Sequence, residues 1–243
     1  MIVGSGLLAR AFAADWAHRE DACIFASGVA DATCVDPKQF ARERTLLEAA
    51  LHSQRDADAF VYFGTCSANG GSARRLSPYV RHKLAMERLV STHRRALVLR
   101  LPHVAGAGRN PYTLLNFLHA RIVRGEAFEL WANARRSVID VRDVVRLAAA
   151  IVDAAGMRGR VLDVATPIRH RVEEIVAAIE AATGCRAHYR RIERGEDEPT
   201  DLGPMLSVIG ADSVRFDDDY LRRTVARYHS TTMNPPPAIG TSP

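Results

Sequence analysis

Apolar residues along the chain follow two spacings in turn. Short unbroken apolar runs stand at Ile2-Val3, Ala22–Ala26, Phe60–Phe63, Ala96–Leu101 and, less purely, Arg160–Val164. A run of that length without polar alternation suits a strand of a parallel sheet covered on both faces. Between these runs the apolar positions recur every three to four residues, predicting helices over 7–18, 38–52, 78–93 and 142–155. Pro37 sets the start of the second helix, whose expected inner stripe is Phe40, Leu46, Leu47, Ala50 and Leu51. After Leu101 the strand stops at Pro102, and a loop rich in Gly, Pro and Asn over 106–111 leads into a helix over 112–124. Short strands are expected at 128–131 and 137–139. From about Thr166 the rhythm changes: a helix over 172–183, a strand over 188–192 and a last helix over 217–228. This order predicts an α/β fold, a doubly wound parallel sheet joined by right-handed crossovers. The segment 231–243 is expected to be a disordered tail, because it is rich in Pro, Ser and Thr.

Two patterns carry candidate chemistry. Gly4-x-Gly6-x-x-Ala9 follows the first strand and opens the first helix. In that context Gly4 permits a tight turn, Gly6 lets a pyrophosphate approach the backbone, and Ala9 allows close helix–strand packing. The open helix N-terminus then offers N–H groups and positive dipole to phosphate. The second pattern is Tyr79-x-x-x-Lys83, which places a phenol and an ammonium on one helix face. An ammonium held beside a phenol would lower its pKa and let it exchange a proton near neutral pH. The strand before this helix ends in Gly64-Thr65-Cys66-Ser67, so the Thr65 hydroxyl falls at the sheet edge where α/β sites form. Together these patterns point to hydride chemistry on a dinucleotide.

Composition narrows the field. A net charge of +5, spread through the helices with no basic tail or aromatic platform, argues against nucleic acid. No apolar stretch reaches the ~20 residues a membrane span needs. Cys23, Cys34, Cys66 and Cys185 show no metal-ligand spacing, so no metal is expected, and they fit a reducing cytoplasm. The first strand begins at Met1, leaving no room for a signal peptide. A cytoplasmic location is the expectation.

Five segments in order, 3–9, 60–67, 79–83, 99–106 and 136–143, resemble the NAD-dependent epimerase/dehydratase family, within the extended short-chain dehydrogenase/reductase superfamily. The resemblance covers roughly residues 1–180. It implies a Rossmann-like dinucleotide-binding domain over 1–165, with 126–140 contributing to the substrate side, and a small C-terminal substrate-side region over 166–230. It also implies NAD or NADP as cofactor and a small-molecule substrate, a nucleotide sugar, by way of surface polysaccharide synthesis. Thr65, Tyr79 and Lys83 match the catalytic Ser/Thr, Tyr and Lys, with Tyr79 as acid/base and Lys83 also holding the nicotinamide ribose. Cofactor contacts carry over to Gly4, Gly6, Leu7, Leu8, Ala26, Ser27, Gly28, Leu101, Pro102 and His103 as well. Substrate contacts carry over to Thr65, Ser67, His103 and Arg136, the last as a phosphate ligand. A homodimer is expected by resemblance alone.

The chain also departs from the family. The segment 21–28 looks like the family's fourth strand rather than its second, so a β-α-β-α portion of the adenosine-side half is missing. The acid that would grip the adenosine ribose goes with it. No acid directly follows Thr65, which favours an epimerase or ketoreductase over a dehydratase. The rival reading is a trimmed Rossmann-like protein that binds a nucleotide or a partner without turnover.

Overall fold

The computed structural model describes residues 1–16, 18–70, 76–108, 110–154, 156–209 and 214–230. In chain order its first elements are β1 (Ile2–Val3), α1 (Leu7–Trp16), β2 (Ala22–Phe25), α2 (Pro37–Ser53), β3 (Ala59–Thr65), α3 (Pro78–Val90) and β4 (Ala96–Leu101). Then come β5 (His103–Ala105), α4 (Leu114–Val123), β6 (Phe128–Trp131), β7 (Arg135–Arg136), β8 (Val138–Asp140), α5 (Val141–Asp153) and β9 (Arg160–Asp163). The last are β10 (His170–Arg171), α6 (Val172–Thr183), β11 (Tyr189–Ile192), α7 (Gly203–Leu206) and α8 (Tyr220–His229). The expected tail, 231–243, lies outside the described residues.

The main sheet has the order β1-β2-β3-β4-β9, and every pairing in it is parallel. Side-chain alternation sends Ile24, Val61 and Leu97 to one face, where Phe12 and Trp16 of α1 meet Val144 and Ile151 of α5. It sends Phe25, Phe60, Tyr62 and Val98 to the other face, against Leu47 of α2 and Met86 and Val90 of α3. Both faces are therefore covered, as the unbroken apolar runs predict.

Two crossovers depart from expectation: the connection from β4 to β9, which has α5 on the α1 face, and the first one. α1, α2 and α3 each carry the chain one strand onward in the same direction, yet α1 lies on the opposite face from α2 and α3. The first connection therefore has the opposite hand to the next two, against a rule that nearly all such units obey. The missing β-α-β-α portion accounts for this. A connection of the usual hand would lead from α1 to a strand on the far side of β1, but the sheet ends at β1. This arrangement also positions the site. Connections leaving the neighbouring strands β1 and β2 run to opposite faces, and a crevice opens at their C-terminal ends.

A second cluster lies beyond the sheet. α6 and α8 pack against α4 and β6 around Leu118, Ile122, Leu130, Ile175, Ile179 and Val225. Two-stranded pairings β5–β8, β6–β11 and β7–β10 support it, so residues on both sides of position 165 interleave in this lobe. Tyr220 ties it to the sheet: its hydroxyl donates to Asp143 at 2.6 Å and accepts from the Asp140 amide at 3.0 Å, while Tyr228 donates to Asp140 at 2.7 Å. Several details differ from the sequence reading: β5, β7, β10 and α7 were not expected, the last helix starts at Tyr220, and Leu46 faces solvent rather than the core.

Removing the Tyr220 hydroxyl leaves a buried carboxylate oxygen and a buried amide without that partner. Tyr220→Phe is expected to cost about 1–3 kcal/mol, read as a lowered melting temperature.

Candidate active site

The crevice encloses a cavity of about 440 Å³. Its floor is the turn after β1. Gly4 has φ +129°, and a Cβ there would stand 2.4 Å from the Ala26 carbonyl oxygen, so only glycine lets β1 and the end of β2 approach this closely. Gly6 has open space where a side chain would be, and α1 starts directly after it, with first-turn N–H groups that have no partner within the helix. Gly6, Leu7 and Leu8 line the cavity, as do Ala26 and Gly28 beyond β2 and Leu101, Pro102 and His103 beyond β4. Gly4 and Ser27 do not line it. Gly4 shapes the turn from behind, and Ser27 is held by Arg42 through its hydroxyl at 3.3 Å and its carbonyl at 3.0 Å. This shape fits a dinucleotide's phosphates at the glycine turn. On the adenosine side the sheet ends at β1, with no strand to enclose the base.

The reactive end lies at β3 and α3. Thr65 closes β3 and caps the short 3-10 turn over Cys66–Asn69, accepting from the Ser67 amide at 3.3 Å. Ser77 caps α3, accepting from the Val80 amide at 3.2 Å, and Pro78 pre-sets its first turn. Those caps fix Tyr79 in the first turn of α3, where the Thr65 side chain is near enough to lower the pKa of its phenol. Thr65, Ser67, Tyr79 and Lys83 all line the cavity.

Lys83 is occupied differently from the sequence expectation. Its ammonium donates to Glu43 Oε1 at 3.1 Å, Tyr62 Oη at 3.1 Å and the Phe63 carbonyl at 3.2 Å. An ammonium has three N–H donors, and all three are used. None is left for a ribose hydroxyl unless one of these bonds opens. The Tyr79 phenol is correspondingly not acidified: burial pushes it above its ordinary range, the Thr65 side chain offsets this in part, and the carboxylates of Glu43, Asp31 and Glu198 push it further up.

Glu43 is the residue that the sequence reading missed. It is fully buried and receives the Val29 amide at 2.6 Å, the Tyr62 hydroxyl at 2.7 Å, His82 Nε2 at 3.0 Å and Lys83. Burial alone would raise its carboxyl, but the Lys83 charge and these hydrogen bonds hold it down to about 2. Gly28 belongs to this arrangement as much as to the cavity, since a Cβ there would sit 2.6 Å from Lys83 Nζ and 3.0 Å from Glu43 Oε1. The signal was present: position 43 falls on the inner stripe with Leu47 and Ala50, where a lone glutamate has no place without a buried partner.

Arg136 stands apart from the cavity. It donates to the carbonyls of Arg135 at 2.8 Å and Glu196 at 2.7 Å and lies 3.8 Å from the Glu198 carboxylate. Glu198 itself lines the cavity and accepts from the Ser67 hydroxyl at 3.0 Å. His103 Nε2 has no hydrogen-bond partner, and burial lowers its ring to about 4, so the imidazole is neutral. All four cysteines are free thiols, and burial raises Cys23 and Cys66, which leaves them unreactive. No group of residues suited to a metal ion occurs among the described residues.

Residues 20–165, more than half of the chain, match the NAD dependent epimerase/dehydratase family. The chain belongs to that family. Solved structures share its fold at low identity. UDP-glucuronic acid 4-epimerase from Bacillus cereus, in complex with UDP-glucuronic acid and NAD, superimposes with a TM-score of 0.71 at 17% identity, covering 86% of this chain and 74% of that one. MoeE5 in complex with UDP-glucose and NAD gives 0.67 at 23%, covering 86% and 78%. RMD from Pseudomonas aeruginosa, complexed with NADPH, gives 0.66 at 19%, covering 86% and 82%. No curated protein matches the sequence. As a member of the epimerase/dehydratase family, the chain is a shortened form, and its main sheet ends at β1 among the described residues.

Two tests follow from the buried pair. Glu43→Ala strands an ammonium with no carboxylate and is expected to cost about 3–5 kcal/mol, measured by denaturant unfolding. The pH dependence has a definite sign. His103 and His229 sit near 4 against an ordinary 6.5, so the fold loses stability as pH drops from 6.5 toward 4. The Glu43 carboxyl sits near 2 against an ordinary 4.5, so its contribution is complete above pH 4.5 and is lost as pH falls from there toward 2. Melting temperatures that stay flat from pH 7 to 3 would contradict both assignments.

Proposed function

We propose that this protein is an NAD(P)-dependent epimerase or ketoreductase acting on a nucleotide sugar, with Tyr79 as the proton-transferring residue, and we place its reaction in surface polysaccharide synthesis. The observation that carries the reading is convergence: the glycine turn, the Thr65 hydroxyl and the Tyr79 phenol line one cavity at the switch point of the sheet. Family membership and the nucleotide sugars named for MoeE5 and the Bacillus cereus epimerase support the substrate class.

When bound, a nicotinamide supplies the acceptor and donor of hydride at a carbinol carbon. The chain's own residues handle the proton. Thr65 presents a second hydroxyl beside the phenol, so a substrate oxygen placed there meets both. A phenol held above its ordinary pKa keeps its proton at neutral pH. It is therefore poised to donate as a ketone is reduced to an alcohol, which also is one half of an epimerisation. Taking a proton in the oxidative half requires Lys83 to turn part of its charge toward the phenol. Gly6 and the start of α1 would hold phosphate, and Leu101, Pro102 and His103 would form the wall beside the ring.

A second reading, binding without turnover, is favoured by one observation: all three Lys83 donors are occupied. Fluorescence titration of the purified protein with NADH and NADPH separates the two. The enzyme reading expects saturable binding of one of them, retained in Tyr79→Phe, with turnover reduced about 10²–10⁴-fold. Binding of neither nucleotide at millimolar concentration ends the enzyme reading. Binding with no hydride transfer to any nucleotide-sugar ketone leaves the second reading standing.

A further inference from the structure

Glu198 places a carboxylate in the wall of the cavity at its reactive end. It lies in a segment after β11 that folds back over the turn following β3. Asn69 holds that segment through the Pro199 carbonyl at 3.2 Å, and the Asp201 amide donates to the largely buried Asp163 at 2.8 Å. Glu198 accepts from Ser67, two residues beyond Thr65, which lines the cavity with Tyr79. Its charge reaches both Tyr79 and His103. Arg136 Nε lies 3.8 Å from the carboxylate and offsets its charge from outside the cavity lining, while Arg136 Nη1 donates to two backbone carbonyls. His103, the other polar group nearby, is neutral. The lining at this end therefore presents the Glu198 carboxylate and hydrogen-bond acceptors, and the Lys83 ammonium that shares it is committed to Glu43, Tyr62 and Phe63.

We propose that Glu198 is a specificity-determining residue that makes the cavity select sugars bearing neutral hydroxyl groups and reject uronates. A sugar hydroxyl can donate to the carboxylate as Ser67 does. A sugar carboxylate brought to the same wall meets a like charge in a partly desolvated site, where a few ångströms of separation cost far more than in water. This rests on the nucleotide-sugar reading above and deepens it.

Calorimetric titration with UDP-glucose and UDP-glucuronic acid tests it, since the two differ only in a hydroxymethyl against a carboxylate group. The wild-type protein, saturated with whichever of NADH or NADPH it binds, is expected to bind UDP-glucose at least about tenfold more tightly. Glu198→Gln keeps an acceptor for Ser67 but removes the charge, and should bring the ratio to within about threefold, chiefly by tightening UDP-glucuronic acid. Equal binding of both ligands by the wild type, or a preference that Glu198→Gln leaves unchanged, overturns the role of Glu198 while the nucleotide-sugar reading stands. If neither ligand binds although the dinucleotide does, the nucleotide-sugar reading falls and this proposal with it. A melting temperature for Glu198→Gln within about 2 °C of wild type, expected because the amide keeps an acceptor for Ser67, excludes misfolding as the cause of a changed ratio.

Discussion

A carboxylate removed from water must be matched by donors on every side, and Glu43 meets that requirement with four donors from three segments. The loop after β2 contributes the Val29 amide, β3 the Tyr62 hydroxyl, and α3 both His82 and Lys83. α2, β3 and α3 are thereby fixed to one another beneath the cavity. Phe40 stacks on His82 with ring centroids 4.5 Å apart and closes the outer side. The loop carrying Gly28 can cross above the pair because it has no side chain there. The walls of the site are therefore positioned by a polar junction, while the apolar clusters on the two sheet faces supply the bulk of the burial. The junction also decides what Lys83 is free to do: a lysine bound to a carboxylate, a phenol and a carbonyl is in the first place a structural cation.

The shortened sheet has a related consequence. Where a longer relative could enclose a dinucleotide between strands on both sides of β1, this chain offers the turn at Gly4 and Gly6 and little beyond it on the adenosine side. Affinity for a cofactor must then come from the phosphates and the nicotinamide end. The opposite hand of the first crossover goes with this, because α1 packs against α5 on its face of a sheet that ends at β1 among the described residues. The crevice survives since it depends only on α1 and α2 leaving for opposite faces.

Much of this was legible in the residues. Each strand of the main sheet was visible as an unbroken apolar run, and each helix beside it as a three-to-four repeat. Thr65, Tyr79 and the glycine turn meet in space as their order along the chain implies. The rest turned on pairings that spacing does not encode. Glu43 was passed over in favour of Leu46, because an apolar stripe is read by its hydrophobes and a buried acid shows its purpose only once its donors are known. The lysine's three bonds come from partners twenty and forty residues upstream. Arg136 sits in a segment that suits a phosphate ligand, yet its neighbours Glu196 and Glu198 arrive from sixty residues later. The first crossover defied a strong general rule that sequence spacing alone would have applied to it.

The central claim is that one cavity brings a nicotinamide dinucleotide to Thr65 and Tyr79. A crystal structure of the complex with the reduced dinucleotide tests it most directly. The account predicts density with the pyrophosphate over Gly6 and the start of α1 and the nicotinamide within hydrogen-bonding or van der Waals reach of Tyr79 Oη, with Lys83 having given up one of its three bonds to the ribose. A dinucleotide seated elsewhere on the molecule, or one whose nicotinamide points away from Thr65 and Tyr79, would contradict it.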